Sequence, residues 1–213
     1  METVTRNMPP LPAAMKHLPS DPKRGFVVPW FVQWIDGQPD FRIMDGAKLV
    51  RAIREKLCWV CGKQLSGRGV FLIGPMCAVN RNTTEPPSHP ECARFSAKAC
   101  PFLTMPKMRR REDELTAQSV VAGHAIKRNP GVALLWFARD YKVINDGTGK
   151  PLFRLGDPLA VEWYCEGREA TREEVMHSIN TGLSILRELA EKEDGGLAYL
   201  ERETKRALRL VPA

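Results

Sequence analysis

The sequence predicts an α+β fold of two unlike halves, and three observations predict it. Five of the six cysteines fall in one 43-residue stretch, 58–100. After Asn129-Pro130-Gly131 the apolar residues change to the short runs typical of antiparallel strands. From Thr171 onward they recur at helical spacing behind a capping signal.

Residues 1–25 are rich in proline and short on periodicity, which predicts an extended arm with little structure of its own. The aromatic and β-branched run 26–35, the turn pair Asp36-Gly37 and the continuation 41–44 predict a hairpin. Pro29 confines its first strand to an edge or a bulge, with Trp30 and Trp34 on one face. Asp45 is placed to cap a helix with Leu49, Val50, Ile53 and Leu57 on its apolar face. Lys48, Arg51, Arg54, Glu55 and Lys56 cover its other side, and the helix runs straight into Cys58. Ser66-Gly67 is a turn leading to a strand at 70–73. Pro86-Pro87 bar a helix before Ser88, a good N-cap, and Pro90 fits an early position of a helix continuing over 91–99.

Residues 107–128 begin with the basic cluster Lys107, Arg109, Arg110 and Arg111, then turn acidic at Glu112, Asp113 and Glu114. They read as a helix or an irregular connector. Four strands are predicted at 132–138, 141–144, 151–155 and 159–164, with Asn145-Asp146-Gly147 as the turn between the second and third. Thr171 and Glu174 have the spacing of a capping box. Val175, Ile179, Leu183, Leu186 and Ala190 form the stripe of the helix they start, and Gly195-Gly196 end it. A last helix spans 197–208. The chain thus divides into the arm 1–25, a hairpin, helix and metal-binding module 26–106, a basic linker or helix 107–130, and an antiparallel sheet followed by two helices, 131–213.

A hydrophobic content of 43% with 27% charged residues is that of a soluble globular protein. No apolar run approaches the length of a membrane span. Met8, Pro9, Pro10, Leu11 and Pro12 stand where an export signal would need an apolar core, so a cytoplasmic setting without membrane contact is expected. The net charge of +7 is uneven, since residues 1–106 hold 14 Lys/Arg against 8 Asp/Glu. That half also holds the clustered cysteines, a combination that favours a polyanionic partner.

In a reducing compartment clustered cysteines act as metal ligands more readily than as disulfides. Cys58-Trp59-Val60-Cys61 and His89-Pro90-Glu91-Cys92 are two ligand pairs, each with two residues between its members, as a tetrahedral zinc site requires. Gly62 lets the chain bend around Cys61. The second pair falls in the first turn of a helix, whose positive end favours an ionised thiol. Cys77 and Cys100 are spare thiols that can replace His89 as the fourth ligand. A metal-free reduced core and disulfides are the competing readings. Four N/S ligands would leave no open position for water or substrate, so a closed structural site outweighs a catalytic one.

A knuckle, a strand, and a helix whose first turn supplies the other two ligands resemble a treble-clef zinc finger over residues 58–100. That class includes ribosomal, DNA-binding, nuclease and protein-interaction members. The gap between the pairs is longer here than in compact members. The nuclease reading weakens because 63–76 holds no histidine. The runs Cys58-Trp59-Val60-Cys61-Gly62, Gly74-Pro75-Met76-Cys77-Ala78-Val79-Asn80-Arg81, Pro86-Pro87-Ser88-His89 and Ala99-Cys100-Pro101-Phe102-Leu103 look similar to uncharacterised proteins of phages and prophages. That resemblance implies a bacterial or viral setting.

The polar stretch 77–88 reads either as a solvated connector or as a functional loop, with Asn80, Arg81, Asn82 and Glu85 able to hydrogen-bond a base, a phosphate or a carbonyl. Arg81, Lys107, Arg109, Arg110 and Arg111 are the candidate nucleic-acid contacts, against the bland reading of a solvated charge run. Gly147-Thr148-Gly149-Lys150-Pro151 lacks phosphate-loop spacing and reads as a hairpin turn. His17, His124 and His177 show no catalytic spacing, and Cys165 has no partner histidine nearby in sequence.

Three functional expectations follow. The first is a zinc-stabilised binding protein acting on nucleic acid or a nucleic-acid-associated complex. The second is a protein–protein adaptor or host-factor inhibitor, with Trp30 and Trp34 as anchors. The third is a zinc-dependent hydrolase or nuclease using the 77–88 stretch.

Overall fold

The computed structural model describes residues 8–105 and 129–213, and the predicted basic segment at 107–111 lies outside them, as does His124. A hairpin comes first, β1 (Val32–Ile35) with β2 (Gln38–Met44), closed by Asp36 and Gly37, both at positive φ as a tight two-residue turn demands. Pro29 precedes the paired residues, and a bulge falls between Val32 and Gln33. Helix α1 (Gly46–Glu55) follows, with the Asp45 carboxylate accepting from the Ala47 and Lys48 amides at 3.0 and 3.2 Å. The expected apolar face needs one correction: Val50 is exposed, and Ala52 takes its place beside Leu49.

The middle of the chain holds β3 (Phe71–Ile73), α2 (Pro75–Asn80), β4 (Asn82–Thr83), α3 (Pro90–Ala99) and the short α4 (Pro101–Thr104). The second half supplies β5 (Val132–Ala138), β6 (Tyr141–Asn145), β7 (Pro151–Leu155), β8 (Pro158–Cys165), β9 (Arg168–Glu169), α5 (Arg172–Ala190) and α6 (Gly196–Leu208). All four predicted strands form, within a residue or two of their expected ends.

They do not build one sheet, however. One sheet has the order β3-β5-β8-β9 and the other β4-β7-β6, every pairing being antiparallel. Each sheet takes one strand from the segment between the two Cys/His pairs. Phe71 registers with Trp136, and Asn82 with Arg154. The boundary drawn at residue 106 therefore does not describe the packing. Residues 71–83 belong with the second half, because Phe71, Ile73, Met76, Ala78 and Val79 share its core.

Strand β5 is buried on both faces, which explains its unbroken apolar run. Leu134 and Trp136 face the main core with Phe71, Phe153, Val175 and Ile179. Leu135 faces the other way, with Ala93 and Ala97 of α3 and Tyr164 of β8. The helix carrying the second Cys/His pair is thus clamped to the back of the four-stranded sheet. Helix α5 opens with the full capping box: Thr171 Oγ1 accepts from the Glu174 amide at 3.3 Å, and Glu174 Oε2 accepts from the Thr171 amide at 2.8 Å.

The described part of the N-terminal arm has more structure than its prolines predict. Ala13–Met15 forms a 3₁₀ turn, Met15 is buried, and Ser20 bridges Val27. Leu11, Ala14, Met15 and Leu18 lie on one side of that turn and cover the cysteine cluster, which is why the stretch orders.

Candidate metal centre

Leu57 and Gln64 bridge as an antiparallel pair, so Cys58 and Cys61 sit in the tight turn between them. The turn is fixed by the Cys58 amide on the Lys63 carbonyl and the Gly62 amide on the Cys58 carbonyl, both 2.8 Å. Gly62 is obligatory here: its φ is +72°, and a Cβ would lie 2.6 Å from Cγ of Trp30. The second pair is placed by the Val70–Ser88 bridge, whose two hydrogen bonds are each 2.8 Å. Ser88 is spent on that bridge, so His89, one residue later than expected, is the N-cap of α3, and Cys92 lies in its first turn.

Cys58, Cys61, His89 and Cys92 converge, each offering one ligand atom, and all four atoms lie within 4.8 Å of one another. Four N/S ligands around one tetrahedral ion would be roughly 3.3–3.8 Å apart, and Cys61 Sγ lies 3.4 Å from His89 Nδ1. The three cysteines are buried, in a pocket completed by Met15, Val60 and Leu65.

The surroundings are arranged for ligation. His89 Nε2 lies 3.0 Å from the Gln64 carbonyl oxygen and so carries the proton, which leaves Nδ1 with a lone pair facing the sulfurs. The amides of Cys61 and His89 donate to Cys58 Sγ at 3.4 and 3.3 Å. Hydrogen bonds from Cys61 and then Cys92 hold the Cys58 thiol well below its ordinary range. The same contacts, Cys58 foremost, push Cys61 and Cys92 up. Three sulfurs so close share protons among themselves, and a divalent cation would replace those protons. The residues therefore fit a metal ion.

The spare thiols are not in the cluster. Cys77 lies in α2 against the main core, where burial, with Glu85 next, pushes it up to about 11. Cys100 ends α3, about two helical turns from Cys92. No cysteine is disulfide-bonded among the described residues. Cys165 is buried in β8 and pushed up to about 11, by burial first and by Glu174 second, the state of a packing thiol rather than a nucleophile.

Half of the expected loop 77–88 is α2 and β4, and Arg81 is not a surface contact. It adopts φ 61° between the two elements, and its side chain is 9% exposed. Its guanidinium donates to Asp157 at 2.8 Å, lies 3.7 Å from Glu203 and stacks over Trp136 at 5.1 Å. These contacts, with burial, commit it to the fold. Trp30 and Trp34 are half-buried, and Trp30 packs edge-on against Trp59 beneath Lys48 and Arg51. His177 is exposed on α5.

Sequence reasoning missed His17, whose Nε2 lies 3.0 Å from the Cys61 carbonyl oxygen and ties the arm to the centre. The signal was the helical spacing of Leu11, Ala14 and Leu18 around it. No helix among the described residues is long and apolar enough to cross a membrane. No protein-family model, curated protein or solved structure matches this chain.

Proposed function

We propose that the Cys58–Cys61–His89–Cys92 centre is a structural zinc site of treble-clef type in a protein that binds nucleic acid or a nucleic-acid-associated complex. The convergence of four buried or half-buried N/S ligand atoms carries the zinc reading. Three sulfurs and one imidazole suit zinc's tetrahedral preference, and four protein ligands leave no position for water or substrate. A knuckle turn, the Val70–Ser88 pairing and ligands at the start of α3 support the treble-clef comparison. On this reading the metal fixes α3 against the sheet and holds the arm, and it performs no chemistry.

The polyanion part rests on the basic first half and on Lys107, Arg109, Arg110 and Arg111, with Arg81 withdrawn from that surface. A phage or prophage setting rests on the sequence runs alone. Two experiments test the reading. Metal analysis is expected to give one zinc per chain. Gel shifts on short duplex and single-stranded DNA across a salt series are expected to show binding that weakens steeply with salt and is lost when 107–111 is neutralised. Zinc without salt-sensitive binding would keep the metal site and discard the nucleic-acid partner.

The adaptor reading keeps one observation in its favour. A groove between α1 and the β6–β7 hairpin exposes Val50, Val143 and Ile144 together.

A further inference from the structure

On the side of the molecule where β7 ends and α6 passes, a pocket of about 390 Å³ brings together five arginines that are scattered through the sequence. Its inner wall is the buried pair Arg81 and Glu203, side chains 9% and 4% exposed. Arg206 joins that wall, donating to Glu203 at 3.2 Å and to Asp157 at 2.8 Å, and Arg202 Nε reaches Glu203 at 3.1 Å. Three guanidiniums thus surround two carboxylates that hold them in place.

The rim is different. Arg139 and Arg154 also line the pocket and are exposed, and neither side chain has an ion pair or hydrogen bond among the described residues. Asp140 is the remaining carboxylate, so five positive charges meet three negative ones. Arg81 Nε is buried without a hydrogen-bond partner and lies 3.7 Å from Glu203 Oε2. Tyr199 closes one side, its ring under the guanidinium of Arg202 at 5.0 Å.

We propose that this pocket binds a phosphomonoester dianion, with Arg139 and Arg154 as its direct ligands and the Arg81–Glu203–Arg206 network as their rigid backing. Guanidinium forks match phosphate oxygens two at a time, and an excess of two positive charges matches a dianion. The volume admits a phosphate with a group attached, and Tyr199 offers that group an aromatic wall. The backbone is built to keep the rim in place. A Cβ at Gly156 would fall 2.1 Å from Asp140 Oδ1, and the Gly156 amide donates to the Asp140 carbonyl at 3.0 Å. This site does not depend on the metal centre or on the nucleic-acid reading.

The test uses the full chain at low salt, with NMR of the arginine Nε–H groups and calorimetry. The probes are inorganic phosphate, a 5′-phosphorylated dinucleotide and the same dinucleotide with a 5′-hydroxyl. The first two are expected to bind saturably with shifts at Arg139 and Arg154, and the third to bind at least tenfold more weakly than the second. Tighter binding of the phosphorylated dinucleotide than of inorganic phosphate would support an esterified phosphate as the ligand, and the reverse order would overturn it. The double variant R139A/R154A changes only exposed side chains, so its thermal unfolding should match the parent while affinity falls at least tenfold. Equal binding of the 5′-hydroxyl dinucleotide, no saturation with either phosphate, or unchanged affinity in the double variant would each overturn the proposal.

Discussion

Arg94 of α3, two residues beyond Cys92, closes a two-pronged ion pair on Glu162 of β8, with Nε 2.9 Å from Oε2 and Nη2 2.5 Å from Oε1. Its guanidinium also lies over Phe137 at 5.4 Å. The helix that presents half of the candidate metal ligands is thereby held to the four-stranded sheet by charge as well as by the packing of Ala93 and Ala97.

The pair is part-exposed, at 43% and 31%, so Arg94→Ala is expected to cost no more than about 1 kcal/mol. The Arg94 guanidinium holds the Glu162 carboxyl below its ordinary value of 4.5. A lowered folded value means that this stability is complete above 4.5 and fades as pH falls below it. Urea unfolding of parent and variant should therefore differ at pH 7, and the difference should shrink as pH falls below 4.5. A difference that stays constant as the pH is lowered would show that the loss comes from packing on Phe137.

Replacing a ligand should act far more strongly. Cys58→Ser or Cys92→Ser is expected to abolish stoichiometric metal, because apparent zinc affinities in structural sites are about 10–16 kcal/mol and are coupled to folding. The arm should come loose with the centre, since Met15 and His17 rest on it. Limited proteolysis would then cut within residues 8–25, and chelation of the parent should reproduce that pattern. Cys77→Ser and Cys100→Ser should keep full metal content, as should His89→Cys, while His89→Ala should lose affinity. Retained affinity in His89→Ala with loss in Cys100→Ser would reassign the fourth ligand.

Arg81 makes a different prediction. Arg81→Met removes a charge that faces the buried Glu203 carboxylate and the Trp136 ring. Breaking a buried pair from one side costs about 3–5 kcal/mol in general, and the remaining contacts of Arg202 and Arg206 with Glu203 place this case near 3. Denaturant unfolding should show the loss, and Arg81→Met combined with Glu203→Leu should recover much of it.

What the sequence made legible is what short-range chemistry encodes. The two Cys/His spacings, the Asp45 cap, the Asp36-Gly37 turn and the Thr171–Glu174 box all rest on residues a few positions apart, and each stands where its chemistry puts it. The contacts that assemble the molecule do not leave such marks. Nothing near Phe71 announces Trp136 as its neighbour, and a two-residue strand such as β4 or β9 has no period to detect. Helix α2 was hidden because its six residues are too few to show a helical period and run into the polar stretch 77–88, although proline at a first helical turn is a start signal. Arg81 looked exposed because polar neighbours surround it in sequence, whereas its partners Asp157 and Glu203 are far along the chain. Distance in sequence likewise concealed the arginine pocket.

The start of α5 gives a test at moderate acid pH that does not involve the metal. Arg168 donates to both oxygens of Glu174, at 2.9 and 2.6 Å, and the Thr171 amide donates to Oε2 at 2.8 Å. The guanidinium first and the amide second lower this carboxyl from 4.5 to about 2. Because the folded value is the lower one, the stabilisation is full above pH 4.5 and disappears as pH falls from there towards 2. Thr171→Ala removes one side of the capping box and is expected to cost about 1 kcal/mol at every pH, since a hydroxyl does not titrate. Glu174→Gln should instead destabilise at pH 7 and approach the parent near pH 2, where about half of the parent carboxyls are protonated. Thermal melts over pH 2–7 separate the two. If Glu174→Gln shows the same deficit at both ends of that range, the carboxylate charge is not what fastens the helix start.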